Sequence, residues 1–402
     1  MQTKLELEEA VSLLTRDLSP TQEQTVPLDE AAGRVLAADV AAPRDQPPFN
    51  RSPLDGYALR AADLAGADAL RPAVLRVVDS LCAGQASAVP VGPGQAVRIM
   101  TGAMLPQGCD AVVRQEDTDC GTETVAVRRA LRPFDNFVPR GDDYRAGDVL
   151  LPAGLRLNAA AVGLLASLGM ARVSVRRRPR VAVFATGDEL AEPGAPLLPG
   201  QIYDANRYLL RARLLELGAE PVAAGACCDE PEALARALAA AAAHCDLLIT
   251  TGGVSVGTKD ILHEALPLLG AEQVFYQVRV KPGGHLFYSR CRGTPILSLS
   301  GNPYAAAATF EVLAGPALAV LSGCPDLLPR LTRGRLATPF PKASPARRFL
   351  RGVFSGGEVT LPDSQASGSL ASLALCNCLV DIPAGTGALA VGDAVAVRPF
   401  RA

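Results

Sequence analysis

From Pro179 onward the chain alternates between short apolar runs and longer amphipathic ones, and this alternation limits its fold more than any other feature. Arg180-Val-Ala-Val-Phe-Ala185 reads as a strand, and 204–218 as a helix opened by Asp204 and ended by Gly218. Residues 221–226 follow as a strand. Asp229-Glu-Pro-Glu232 has capping-box spacing, with a proline in the first turn of an alanine-rich helix. Leu247, Leu248 and Ile249 form a strand buried on both faces, one more helix follows, then 274–281 and 295–300 as strands and 304–313 as a last helix. Such a pattern dictates a mostly parallel sheet wound with helices, with its ligand site beyond the C-terminal ends of the strands. Four polar, glycine-bearing loops fall there: 186–189, 251–260, 281–284 and 300–303.

The second of these loops closes the stretch that begins at Asp246. Gly252 and Gly253 are free to take positive φ, so backbone N–H groups can converge on an oxyanion, and Ser255 adds a hydroxyl. Asp260 precedes Ile-Leu-His-Glu-Ala-Leu and reads either as a helix N-cap or as a metal-ligating or basic carboxylate. Taken alone, the stretch reads as turn and cap.

A chain of 402 residues divides into two to four domains, each with its own core. The longest uncharged apolar runs read as alanine-rich ones such as 237–243, far short of a membrane span, and the N-terminus is acidic and amphipathic rather than a secretory signal. A cytoplasmic protein is expected. Ten cysteines occur without a Cys-x-x-Cys pair, and only three histidines accompany them, which argues against a zinc site or a disulfide framework. A net charge of −2, no tryptophan and 4% aromatic residues argue against a nucleic-acid partner. The one basic cluster, 176–180, reads as a solvated junction.

N-terminal to the alternating region, 4–18 and 28–36 read as helices, and 47–57 as a proline-rich loop with Asp55 and Tyr57 at its tip. Asp55 fits an Asx-turn with Gly56 as well as a site role. From 72 to 149 short alternating runs imply a small β-rich domain carrying Thr101 and Asp143 in glycine-punctuated loops, followed by a helix over 158–168. Residues 325–402 return to short strands, with Arg351 and the 365–369 loop as their polar features.

Read together, Ser-Pro-Leu-Asp55-Gly-Tyr-Ala, Arg-Ile-Met-Thr101-Gly-Ala, Thr-Gly-Asp-Glu189-Leu, Tyr-Asp204-Ala-Asn-Arg, Thr-Gly-Gly253-Val-Ser-Val-Gly, Lys281-Pro-Gly and Ser-Gly-Asn-Pro303 resemble the molybdopterin molybdenumtransferase family, the bacterial MoeA proteins related to the E domain of gephyrin. The resemblance runs in one order from the first helix to the last strand. It implies a multidomain α/β plus β fold. An N-terminal region over 1–175 carries an inserted β-rich domain at about 50–145, a doubly wound molybdopterin-binding domain spans 176–324, and a small β-domain spans 325–402.

The resemblance also implies insertion of molybdenum from molybdate into adenylylated molybdopterin, with Mg²⁺-dependent release of AMP. By the same resemblance Asp55, Thr101, Glu189 and Asp260 are catalytic, and Asp55, Glu189 and Asp260 hold the metal. Asp143, Asp204, Asp229, Asp246, Gly252, Gly253 and Ser255 bind the pterin substrate, and Lys281, Gly301, Pro303, Arg351 and Ser367 bind molybdate. A homodimer is implied, in which the half bearing Asp55 and Thr101 serves the partner's α/β domain, with the adenylyltransferase or acceptor molybdoenzymes as docking partners.

The chain departs from the family at Gly284-His285, where a second lysine is frequent, at Ser300, and at Ala366. Those departures leave open molybdate against tungstate. Three further readings compete: a pterin-binding or scaffolding protein without turnover, an adenylylating enzyme with a similar α/β domain, and a dinucleotide dehydrogenase. The added N- and C-terminal domains argue against the second, and the missing Gly-x-Gly-x-x-Gly argues against the third.

Overall fold

The computed structural model describes residues 1–223, 225–227, 229–254, 261–328 and 330–400. The chain folds into two units, one of residues 1–38, 153–166 and 170–402, the other of 39–152 and 167–169.

The first unit is built on an eight-stranded sheet. Arg180–Thr186 pairs in parallel with Glu220–Val222 on one side and with Leu247–Thr251 on the other, and Thr294–Leu299 continues in parallel beyond Leu247–Thr251. Strand order therefore reverses between Arg180–Thr186 and Leu247–Thr251, which makes that point the switch of the sheet. Residues along these strands alternate faces. Val181, Val183, Leu247 and Ile249 pack with Leu210, Leu214 and Leu313 on one face. Ala182, Phe184 and Leu248 pack with Leu234, Leu238, Leu262 and Leu266 on the other. Both faces are covered, and the doubly wound expectation holds.

Several sequence expectations give way. Phe287–Cys291, unassigned above, is a strand antiparallel to both Glu272–Val278 and Thr294–Leu299, so the sheet is mixed. Gln2–Leu5 is a strand in parallel with Glu272–Val278, and the first helix begins only at Leu7. The helix expected over 28–36 reduces to one turn at Leu28–Glu30, because Gly33 takes φ +73° and Val35 and Leu36 bridge to Arg156 and Val175. The basic cluster is not a solvated junction. Arg177 is bound to Asp246 at 2.7 Å, and Arg176 donates to the carbonyls of Thr21 and Ala37.

The last helix does not end at 313. Pro303–Thr309 passes through a π turn, Phe310–Ala314, into Gly315–Ser322. The wider turn lets the helix admit Pro316, which lacks the N–H of a regular turn. The continuous run, Pro303–Ser322, is apolar and long enough to cross a membrane, which corrects the reading that the longest apolar runs fall far short. In this fold 83% of its most apolar window is buried inside the protein.

After the helix the chain forms a six-stranded antiparallel-rich sheet in which Arg347–Ser355 pairs with both Glu358–Thr360 and Cys378–Ile382. Val280–Lys281 joins its edge in parallel with Arg347–Ser355. The sheet is further tied to the first helix, since Arg347 pairs with Asp381 and with Glu8.

The second unit holds a five-stranded sheet in the order Ala111–Arg114, Gly56–Leu59, Gln95–Ile99, Ala73–Leu81, Thr124–Val127. Here Tyr57 is a correction: it sits inside the sheet, 1% exposed, with its hydroxyl donating to Gly121 O at 2.9 Å. The proline-rich loop ends at Asp55, two residues before it.

Candidate functional site

A cavity of about 800 Å³ opens beyond the C-terminal ends of Arg180–Thr186, Leu247–Thr251 and Thr294–Leu299, at the switch of the sheet. It brings together Glu189, Asp204, Asp229, Gly252, Gly253, Gly301, Pro303 and Ser367 of the residues singled out in the sequence. Loops 186–189, 251–254, 282–285 and 300–303 all contribute.

Close backbone packing shapes the floor. Gly252 has φ +97°, and a Cβ there would lie 2.5 Å from Thr186 O and 2.7 Å from Thr186 Oγ1. A Cβ on Gly301 would in turn lie 3.4 Å from Gly252 Cα. The strand ends are thus held nearly in contact, with Thr186 Oγ1 donating to Thr251 O at 3.3 Å. The N–H of Gly252 donates to Leu299 O at 3.1 Å, so the expected convergence of two glycine N–H groups on an oxyanion is reduced to Gly253. Asn206 was read only as part of a helix start. Its Nδ2 donates to Gly301 O at 2.7 Å and fixes the 300–303 loop. The Asp-Ala-Asn spacing after a strand was the available signal.

The carboxylates differ in their engagement. Asp204 is 2% exposed. It accepts the backbone N–H of Arg207 at 3.1 Å and pairs with Arg207 Nε at 2.8 Å, so it also secures the start of helix Asn206–Glu216. Glu189 is exposed, and a Cβ on Gly187 would lie 2.5 Å from its carboxylate, so the glycine makes room for that side chain. Asp229 accompanies them at the rim, its N–H donating to Asp188 Oδ1 at 3.1 Å.

Three expected residues do not reach the cavity. Asp246 lies at the opposite end of its strand, where its carboxylate accepts from Arg177 at 2.7 Å and from the Arg180 N–H at 2.7 Å; it anchors strand entry instead of touching a ligand. Arg351 is fully buried, and burial pushes its basicity down. Its guanidinium donates to Ser372 Oγ and to the carbonyls of Ser364 and Ala366, and it lies 4.1 Å over the Tyr304 ring. It therefore shapes the loop that presents Ser367, whose carbonyl accepts the Tyr304 N–H at 2.9 Å. Lys281 is exposed, sits in the strand paired with Arg348, and is not among the cavity-lining residues.

Asp55, Thr101 and Asp143 belong to the second unit. Asp55 Oδ1 accepts both the N–H and the hydroxyl of Thr101, each at 2.7 Å. These two donors, the backbone one first, hold the Asp55 carboxyl below its ordinary range. The Asx-turn reading of Asp55 is thereby replaced by a link between two loops 46 residues apart. Asp143 is exposed in a turn, its N–H donating to Gln46 O. Ser255 and Asp260 lie outside the described residues. Among the described residues no three His, Cys, Asp or Glu side chains cluster as metal ligands; of the expected set Asp55, Glu189 and Asp260, the last lies outside those residues.

Fold and cavity define a class: multidomain α/β proteins whose ligand cavity lies at the switch point of a doubly wound sheet. Three family models match the chain in sequence, namely the MoeA N-terminal region (domain I and II) over residues 5–169, a probable molybdopterin binding domain over 182–320, and the MoeA C-terminal region (domain IV) over 333–400. The chain belongs to the molybdopterin molybdenumtransferase family, the MoeA proteins.

A molybdopterin molybdenumtransferase from Staphylococcus epidermidis is 34% identical over 399 residues, covering 98% of this chain and 95% of that protein. Molybdopterin molybdenumtransferase 2 from Mycobacterium tuberculosis is 38% identical over 382 residues, 93% and 94% of the two chains. The crystal structure of a molybdopterin biosynthesis MoeA protein from Pyrococcus horikoshii superposes with a TM-score of 0.87 at 29% identity, over 99% of this chain and 100% of that one.

Proposed function

We propose that this protein is a transferase of molybdenum cofactor biosynthesis, which inserts molybdenum from molybdate into adenylylated molybdopterin and releases AMP. The observation that carries the reading is the cavity at the sheet switch point, walled by glycine-bearing loops and carboxylates, in a chain alike over almost its whole length to named molybdopterin molybdenumtransferases. An adenylylated pterin brings a pyrophosphate, which suits the Gly253 N–H and the polar 300–303 loop.

Oxygen donors line the cavity, and Mg²⁺ takes one or two carboxylates with substrate phosphates and water. Glu189 and Asp229 fit that demand. A Mg²⁺ held by Glu189 and Asp229 would supply charge neutralisation at the phosphoryl oxygens. The protein's own part is to hold the strand ends together through Gly252 and Gly301, to orient the 300–303 loop through Asn206, and to present Ser367 through Arg351. Asp55, kept ionised by Thr101, is assigned to the chemistry.

A cytoplasmic homodimer, with docking to the adenylyltransferase or acceptor molybdoenzymes, completes the proposal. The test is AMP release from adenylylated molybdopterin with Mg²⁺ and molybdate, tungstate or neither. Oxyanion-dependent AMP release is expected. Substrate binding without AMP under any condition would move the protein to a binding or scaffolding role.

A further inference from the structure

Five arginines, Arg34, Arg156, Arg176, Arg177 and Arg178, line one narrow crevice of the first unit, and no Asp or Glu stands among its described lining residues. Three separate stretches of chain supply them, and the C-terminal ends of helices Asn206–Glu216 and Gly315–Ser322 meet them there. The crevice shares no lining residue with the switch-point cavity. Pro179, in its lining, directly precedes strand Arg180–Thr186, whereas the cavity lies where that strand ends. A strand of this length sets the two about 20 Å apart.

The five guanidinium groups are unequally satisfied. Arg177 has a carboxylate, Asp246, bound through both terminal nitrogens at 2.7 and 3.0 Å. Arg176 donates to the carbonyls of Thr21 and Ala37 and lies 3.6 Å from the Glu23 carboxylate. Arg156 places one donor on Glu216 O at 3.2 Å, the ordinary role of a cation at a helix C-terminus. Arg34 is 8% exposed. Its terminal nitrogens serve Arg176 O and, with the Gln24 amide oriented by its neighbours, the Gln24 side-chain oxygen. Its Nε is buried without an acceptor. Arg178 is exposed, and among the described residues nothing takes its guanidinium. Burial, and then the charge of Arg178, push the basicity of Arg34 down, so these two groups are near enough to repel.

Repulsion between like charges and an unfilled buried donor both cost stability, and an anion in the crevice offsets both. The enclosed space is about 10 Å³, room for one water-sized atom, which limits the guest. A tetrahedral oxyanion meets this limit by lodging one oxygen and leaving the others at the mouth, where Arg178 is exposed. Guanidinium groups match such oxygens in geometry as well as charge. We propose that this crevice binds a small tetrahedral oxyanion of the inorganic phosphate class, held by Arg34, Arg156 and Arg178. Bound there, the anion ties the strand pair Glu23–Pro27 and Arg172–Arg176 to the ends of the two helices. The site stands independently of the transferase reading.

The experiment titrates the full chain with inorganic phosphate by calorimetry and follows its thermal midpoint, with chloride holding the ionic strength constant. Wild type is compared with Arg178→Gln, Arg178→Lys and Arg156→Gln. Phosphate should raise the wild-type midpoint, because it binds the folded state alone. Each glutamine variant should bind phosphate about tenfold more weakly, the loss of one charge-assisted contact, and Arg178→Lys should keep part of the affinity. Without phosphate, Arg178→Gln should melt no lower than wild type, since Arg34 loses a like charge and no hydrogen bond is given up. Should Arg156→Gln unfold for want of its helix-end contact, Arg178→Gln decides alone. Equal phosphate affinity in wild type and Arg178→Gln places the ion at another site and overturns the inference. Absence of binding to wild type does the same, as does stabilisation that chloride matches at equal ionic strength, which is screening alone.

Discussion

At single residues, small groups set the chemistry by what they exclude or donate. The half-buried Asp55 carboxylate is held by both donors of Thr101, so its charge is maintained where a free aspartate would begin to protonate. Thr101→Val keeps the N–H and removes the hydroxyl. The Asp55 titration, followed by carboxyl-carbon NMR, should move up in pH, and the acid limb of AMP release should move with it. An unmoved titration would show that the backbone donor alone suffices. Gly252→Ala places a methyl against the Thr186 carbonyl at positive φ. The strain amounts to roughly 1–3 kcal/mol, so thermal unfolding should show a lower midpoint together with weakened substrate binding. Wild-type values for both would mean the strand ends part easily.

At the scale of elements, loops are set by distant side chains. The 364–372 segment depends on Arg351, a residue of strand Arg347–Ser355 whose guanidinium takes up its carbonyls. Replacing it by methionine takes the donor away from those part-buried carbonyls, which costs at most about 1–3 kcal/mol per group. Arg351→Met should therefore accelerate amide hydrogen exchange across 364–372, and raise the molybdate requirement indirectly through Ser367. Unchanged exchange would remove Arg351 from loop support. The helix Pro303–Ser322 shows the same dependence. Its first turn receives a carbonyl from Ser367, and its middle widens into a π turn ahead of Pro316.

For the first unit as a whole, the C-terminal sheet and the α/β domain are joined by charge as well as by the Val280–Lys281 strand. Asp381 is 5% exposed, and Arg347 and Arg398 both bind it, while Arg347 also reaches Glu8 of the first helix. Burial pushes the Asp381 carboxyl up, but the two arginines outweigh it and the net shift is downward. A carboxyl lowered in the folded state adds stability above its unfolded pKa of about 3.9, and that stability is lost as pH falls through the folded value. Asp381→Asn removes the buried counter-charge that Arg347 and Arg398 share, leaving only the exposed Glu8 to Arg347, a loss of roughly 3–5 kcal/mol near neutrality. In urea unfolding, the gap between wild type and variant should be full at pH 7 and should narrow below about pH 4. A gap independent of pH would trace the loss to packing.

Local pattern alone was enough for the wound α/β core. Strand and helix periods differ, and Val181 to Phe184, Leu247 to Ile249 and Leu210 with Leu214 each satisfy only one of them. The four loops at the strand ends were legible for the same reason, since a parallel sheet leaves its C-terminal ends free for a ligand. Tertiary structure decided what local pattern does not encode. Gln2–Leu5 and Phe287–Cys291 became strands because partners remote in sequence supplied their hydrogen bonds. Asp246 and Arg351 were expected as ligand groups from the family resemblance, yet each is neutralised or enclosed by residues that only folding brings near. A sequence states which side chains are charged; the fold determines which charges still face a ligand, because partners arrive through space and not along the chain.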